Sequence, residues 1–378
     1  MDTRCQAHCR SARAGCFRRL AWISLLSLGA AGCLTGPPSR VQIQGASTRS
    51  SDANDVKAPA SLMVTTFNVW GLPSWVNGAS SDRYRKIASE LTQLGSDVVL
   101  LQEVWTHRSF TELSDQTRDS AHIWSAASAR HKGSFFGQNG LLTLSRYPIV
   151  AADVRHFSVA NLPDSLMHKG ALKITITVGS GQRVNIWNVH LQDGGSTRVR
   201  SRQVTELIAW INDAHDGQIA DIVGGDFNFT PGSGEFRHFV AAIGPDVHQL
   251  AGDAAFPTWD PLKLVPGSGE ALDHIFVRMR EPADEIHAMP RRVFAASRRE
   301  DRLSDHMGME ALLTFGSIPE HREPVLLGRR TEFPAAEFGG VRSSSGAASA
   351  SSSMAVRYSE PFPVWEIAAP VDGRTPLN

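Results

Sequence analysis

An α/β fold, either a mixed sheet or two packed sheets covered by helices, is predicted by three observations. Short apolar runs of strand character recur between residues 62 and 315. Stretches with helical spacing separate some of them. Hydrophobic residues make up 42% of the chain and charged residues 20%, the balance of a soluble globular protein.

The elements follow in order. "MVTTFNV" (63–69) is a buried-type strand, and "SDRYRKIASELTQLG" (81–95) a helix. Ile87, Leu91 and Leu94 share a face of that helix, Ser81 or Asp82 is its N-cap and Gly95 its stop. "DVVLLQE", "GLLTLS", "ALKITITV", "RVNIWNVHL" and "DIVGGDF" are further strands, with Leu172, Ile174, Ile176 and Val178 on one face of the third. "SRQVTELIAWINDA" (201–214) is a helix packed through Val204, Leu207, Ile208 and Ile211; "LDHIFV" and "GMEALLTF" complete the strands. There is no internal repeat.

Flanking this domain of residues 62–315 are segments of other texture. Residues 1–32 combine arginines with the short apolar run "LAWISLLSLGAA", which is too short to span a bilayer comfortably and reads as an export signal. The run ends "LGAAGC", which resembles a bacterial lipobox with Ala30 in place of the usual leucine. The resemblance makes Cys33 a lipid anchor and the protein an exported envelope lipoprotein or a secreted one. Residues 33–61 lack periodicity and are expected to form a flexible tether; 316–378 form a Ser/Gly/Pro-rich tail. All four cysteines fall within the first 33 residues, so the domain has neither a disulfide nor a thiolate metal site. Lys+Arg and Asp+Glu number 38 each, so no overall field favours a polyanion.

Polar residues stand at the ends of the apolar runs: Asn68 in "FNVWG", Glu103 in "LQEVW", His190 in "NVHLQ", Asp226 and Asn228 in "GGDFNF", Asp273 in "LDHIF", and Asp305 and His306 in "LSDH". Each alone has an ordinary explanation as a cap, a turn or an interior histidine. Delivered together to one sheet edge, several carboxylates would repel one another unless a cation balanced them. Oxygen donors without cysteine suit a hard cation such as Mg²⁺ or Ca²⁺ rather than Zn²⁺, and nearby histidines suit proton transfer. The implied chemistry is metal-assisted hydrolysis of a charged ester, with phosphate leading.

These motifs, in this order, resemble the endonuclease/exonuclease/phosphatase superfamily over nearly all of residues 62–315. The resemblance implies a four-layered α/β sandwich, two packed mixed sheets flanked by helices, that cleaves phosphoesters with a divalent metal, usually Mg²⁺, with Mn²⁺ or Ca²⁺ as alternatives. It further implies that Asn68 and Glu103 hold the metal with Asp305 near it, that Asp226 orients water, and that Asn228 binds phosphate. His190 would donate to phosphate oxygens, and His306 would be the general base. Asp305 and His306 are neighbours and point apart on an extended strand, so Asp273 is the better brace for the imidazole.

"FNVWGLP", "GLLTLSRYPI", "HKGALKITI" and "FPTWD" look like the neutral sphingomyelinase branch, which implies a phospholipid or sphingolipid substrate, with sphingomyelin cleaved to ceramide and phosphocholine. Trp70, Trp75, Trp105 and Trp259 lie in or beside the motif loops, where aromatic faces could bind a quaternary ammonium. Secreted bacterial members carry an aromatic-tipped membrane hairpin; residues 278–301 here offer only Phe294 among many arginines. The alternative is a surface or secreted nuclease, with Arg291, Arg292, Arg298, Arg299 and Arg302 along its groove. A monomer is assumed.

Overall fold

The structure is a computed structural model, which describes residues 41–45, 61–72, 82–118, 124–128, 139–178 except 163, 181–251 except 195, 216, 218, 245 and 246, then 257–260, 269–278, 286–295 and 301–315. The expected signal segment with Cys33, Trp75, Arg298, Arg299 and the tail 316–378 lie outside these residues.

In chain order the elements are β1 (Val41–Gln44), β2 (Ser61–Asn68), α1 (Arg83–Leu94), β3 (Val98–Gln102), α2 (His107–Arg118), β4 (Trp124–Ser128), β5 (Leu142–Ser145), β6 (Ile149–His156), β7 (Gly170–Val178), β8 (Gln182–His190), α3 (Thr197–Ala214), β9 (Ala220–Asp226), α4 (Gly234–Ile243), β10 (Val247–Ala251), β11 (Asp273–Arg278), β12 (Ile286–Val293) and β13 (Gly308–Phe315). They make a seven-stranded sheet, β1-β4-β5-β3-β2-β13-β12, and a six-stranded sheet, β10-β11-β9-β8-β7-β6.

Three buried clusters define four layers. Val64, Val98 and Leu100 of the first sheet meet Leu172, Ile174, Ile176, Ile186 and Ile275 of the second. The strand alternation of β7 therefore points into this inter-sheet core. On the far side of the first sheet, Phe67, Val99 and Leu101 pack under Ile87 and Leu91 of α1 and Phe110 and Leu113 of α2. Beyond the second, Trp187, Val223 and Phe276 pack under Leu207 and Ile211 of α3 and Phe239 of α4. Burying one such Leu, Ile or Phe side chain contributes about 1.5–3 kcal/mol. The fold is thus the expected sandwich of two mixed sheets between helices.

One expectation needs correction, and one stretch gains an element. The stretch 33–61 is not wholly a tether: Val41–Gln44 pair antiparallel with β4, from Val41 opposite Ser128 to Gln44 opposite Ser125. Four residues with Ile43 exposed carry too little apolar pattern to be read as a strand, so the partner strand decides. Within the arginine-rich stretch 278–301, residues 286–293 form β12, paired along its length with β13. Pro290 sits inside β12, which is an edge strand, where a missing N–H is tolerated. The helix α1 begins as expected after Asp82, whose carboxylate pairs with Arg85 at 3.1 Å instead of capping, and ends at Gly95 with φ 77°.

Candidate active site

The topology brings the polar strand ends to one edge. β2 and β3 run parallel, so Asn68 and the residue after Gln102, Glu103, emerge together; β13 is antiparallel to β2, so the residues before it return to the same edge. In the second sheet β8 and β9 are parallel with His190 opposite Asp226, and antiparallel β11 starts with Asp273 opposite Asp226. All eight predicted residues of the centre fall in this region. The two sheets meet beneath it through buried amides: Gln102 Nε2 donates to Asn188 Oδ1 at 2.8 Å, and Asn188 Nδ2 to the Leu101 carbonyl at 3.1 Å. "GGD" is needed for this close approach. A Cβ on Gly224 would meet Leu100 at 2.7 Å, and one on Gly225 (φ 149°) would lie 2.0 Å from the Val189 carbonyl oxygen.

One half of the site is a proton-handling chain. Asp273 Oδ2 lies 2.8 Å from His306 Nδ1, and His306 Nε2 lies 3.7 Å from Asp226 Oδ2. Burial alone would lower the His306 pKa, but the charges of Asp273 and Asp226 outweigh it and hold it well above the ordinary imidazole value. Asp226 is pushed up to about 7, first by burial, while its Oδ1 accepts the Asn228 backbone N–H at 3.0 Å.

The other half is a carboxylate pair. Glu103 sits at φ 62° and is pushed up to about 7 by burial and then by the charge of Asp305. Burial raises the Asp305 pKa as well, against the charge of His306. Asn68 Nδ2 donates to Glu103 Oε1 (3.2 Å) and Asp226 Oδ2 (2.9 Å), so its amide bridges the two halves, while its Oδ1 accepts the Trp70 N–H. Two half-buried like charges with oxygen donors fit a hard divalent cation, whose binding would relieve their mutual repulsion. Asp226, Asp273 and His306 also place one potential ligand atom each within 4.8 Å and could hold an ion. Asp273 Oδ2 and His306 Nδ1 bond to one another, which leaves Asp273 Oδ1 and His306 Nε2 as the donors of that group, while Glu103 and Asp305, with Asn68 beside them, form a second set of oxygen donors that could hold the ion.

His190 and Asn228 flank these groups. His190 is fully buried, with Nε2 3.6 Å from Asp226 Oδ2; burial and the charges of Lys169 and His306 lower its pKa well below the ordinary value, so the ring is neutral. Asn228, at φ 52°, donates from Nδ2 to the Leu191 carbonyl at 3.1 Å. Lys169, to which no sequence motif gives a role, is 5% exposed, pairs with Asp164 Oδ2 at 2.9 Å and directs its charge at Glu103 and Asp226. The available signal was its place beside Gly170, where a Cβ would lie 2.0 Å from the Arg155 carbonyl oxygen.

The family model of the endonuclease/exonuclease/phosphatase family matches residues 65–306, the whole span from β2 to His306. The chain belongs to that family. Among curated relatives, an inositol phosphosphingolipids phospholipase C of Schizosaccharomyces pombe is 27% identical over 46% of this chain and 42% of its own length. A human sphingomyelin phosphodiesterase 2 is 27% identical over 45% and 41%, and sphingomyelinase C of Listeria ivanovii is 24% identical over 61% and 75%. The chain thus spans less than half the length of the first two. Among solved structures, sphingomyelinase C from Streptomyces griseocarneus aligns with TM-score 0.53 at 21% identity, covering 68% of this chain and 99% of that one. TDP2 of D. rerio in complex with a single-strand DNA product aligns with TM-score 0.54 at 22% identity, covering 67% and 99%. Both establish the fold alone.

Within this family site, several side chains expected at the surface are otherwise engaged. Trp105 is 2% exposed and packs with Met167, its ring filling the space a Cβ on Gly140 would need. It is therefore no open aromatic face, whereas Trp70 and Trp259 are half-buried. Phe294 packs against Phe67 with ring centres 4.5 Å apart and the rings tilted by 35°, so it anchors the loop instead of tipping a hairpin. Arg291, whose side chain is half exposed, pairs with buried Glu310 at 2.6 Å and Arg302 with Asp260 at 2.8 Å, so the charge of two of the arginines that the nuclease alternative would use is balanced within the domain. No helix among the described residues is long and apolar enough to cross a membrane.

Proposed function

We propose that this chain is a metal-dependent phosphodiesterase of the sphingomyelinase type, which hydrolyses sphingomyelin to ceramide and phosphocholine. The observation that carries the chemistry is the Asp273–His306 pair at 2.8 Å, with the free side of His306 facing Asp226. The choice of lipid over nucleic acid rests on the curated relatives, named for sphingolipid-cleaving enzymes, because the fold is shared about equally with TDP2. The engagement of Arg291 and Arg302 in ion pairs supports the same choice.

Glu103 and Asp305, with Asn68, would hold the divalent cation, Mg²⁺ on this reading, which supplies charge neutralisation at the phosphate. In its neutral form His306, braced by Asp273 and facing Asp226, takes the proton of the attacking water, and a cation held by Asp305 would offset one of the charges that favour the imidazolium. That water attacks phosphorus in line with the bond to the ceramide oxygen, which breaks as the new P–O bond forms, and ceramide leaves as its alcohol after taking a proton from solvent. Neutral His190 and the amide of Asn228 donate to the phosphate oxygens as negative charge grows. Lys169 adds fixed positive charge behind Glu103 and Asp226. Export and anchoring through a lipidated Cys33 would place this site at a membrane surface.

Sphingomyelin liposomes and DNA, assayed side by side with Mg²⁺ and with EDTA, test the proposal. Lipid cleavage that EDTA abolishes, without DNA cleavage, is expected. DNA cleavage without lipid cleavage would replace it with the nuclease reading.

A further inference from the structure

Arg83 is the first residue of α1, and its side chain turns inward with only 6% of the residue exposed. Its guanidinium donates to three backbone carbonyls on two loops. Nη1 serves Val69 and, at 2.8 Å, Leu303; Nη2 serves Trp70 at 2.9 Å. Val69 and Trp70 directly follow Asn68, while Leu303 precedes Asp305 and His306, 220 residues from Arg83 in sequence. A hydroxyl fastens the same two loops: Ser304 Oγ donates to the Asn68 carbonyl at 2.7 Å and accepts the His306 N–H at 3.1 Å.

We propose that Arg83, helped by Ser304, is a positioning residue that clasps the Asn68 loop to the Asp305–His306 loop and so sets the geometry between the carboxylate half and the base half of the site. The inference rests on the phosphodiesterase reading, but the clasp itself does not. Three carbonyls diverging from two loops suit a planar five-donor fork; the compact ammonium of a lysine cannot reproduce that pattern. Trp70 has φ 49°, a costly conformation for a bulky residue, and the bond from Arg83 to its carbonyl helps to hold it. Neither Arg83 nor the carbonyls it binds belong to the proposed reacting groups. Its effect on turnover would pass through the spacing of Asn68 and His306, where a misplacement near 1 Å costs on the order of 100-fold in rate.

The test uses the full chain with Arg83→Lys, Arg83→Ala and Ser304→Ala, assayed on sphingomyelin mixed micelles well below the unfolding temperature, with hydrogen–deuterium exchange alongside. A kcat lower by about 100-fold in both arginine variants, with KM within about threefold, is expected. Amides of residues 303–307 should exchange faster while those of β8 and β9 keep their protection. Millimolar guanidinium should recover about tenfold of the kcat lost in Arg83→Ala. If Arg83→Ala does not fold, Ser304→Ala has to show the same kcat loss and local exchange. Wild-type kcat and exchange in Arg83→Lys, or protection lost evenly across the domain, would overturn the clasp. A wild-type protein inert on every phosphoester would instead overturn the functional reading and leave exchange to decide the clasp.

Discussion

Asp273 Oδ2 lies 2.8 Å from His306 Nδ1, whereas Asp305, the sequence neighbour of His306, directs its charge at Glu103. Two adjacent residues thus serve two halves of one site. Asp273→Asn should lower kcat on sphingomyelin by roughly 10²–10⁴-fold with KM little changed, the same pattern expected of His306→Ala. Asp305→Asn should instead raise the Mg²⁺ concentration needed for half-maximal rate. Steady-state kinetics at varied Mg²⁺ separate the two patterns; unchanged turnover in Asp273→Asn would break the division of roles.

If Glu103 and Asp305 hold the cation as proposed, its affinity depends on pH. Glu103, raised to about 7 by burial and by Asp305, carries a proton in much of the metal-free protein near neutrality. A cation has to displace that proton, so apparent affinity weakens as pH falls through this range. A raised carboxylate pKa also means that the metal-free fold gains stability as pH falls through it. Thermal unfolding should therefore show a larger Mg²⁺-induced rise at about pH 8 than at about pH 6, against an EDTA baseline of opposite slope. Equal Mg²⁺ shifts at both pH values would contradict the assignment of Glu103.

Lys169 is both a structural cation and part of the site's field. Lys169→Met leaves Asp164 buried without its cation, with the Asp193 N–H as its remaining partner, and should cost about 3 kcal/mol in urea unfolding. Asp164→Asn should cost less, because Lys169 still faces Glu103 and Asp226. The opposite ranking would place the main partner of Lys169 elsewhere.

Glycine at 225 is required by the approach of β8. Gly225→Ala drives a Cβ to 2.0 Å from the Val189 carbonyl oxygen and should destabilise by about 3 kcal/mol or more. Gly232→Ala, at φ 75° with open space around its Cβ, should cost about 1–2 kcal/mol. Chemical denaturation of the two variants checks the contrast.

The strand ends were legible because each polar residue stands at one end of an apolar run, and the sheet's alternation of parallel and antiparallel neighbours carries them to one edge. Other features depend on partners far away in the chain. β1 and β12 exist through pairing with β4 and β13 and have little pattern of their own. Arg83 reads as an ordinary charge in the first turn of a helix until Leu303, 220 residues on, offers its carbonyl. Burial of Trp105 against Gly140, and of Lys169 between Asp164 and the site, likewise follows from packing that no local spacing encodes.

The central claim is most directly tested by ³¹P NMR of sphingomyelin mixed micelles incubated with the purified protein and Mg²⁺. A growing phosphocholine resonance is predicted, absent with EDTA and absent with the His306→Ala variant. No phosphomonoester under any condition, or the same yield from His306→Ala as from the unaltered protein, would contradict the account.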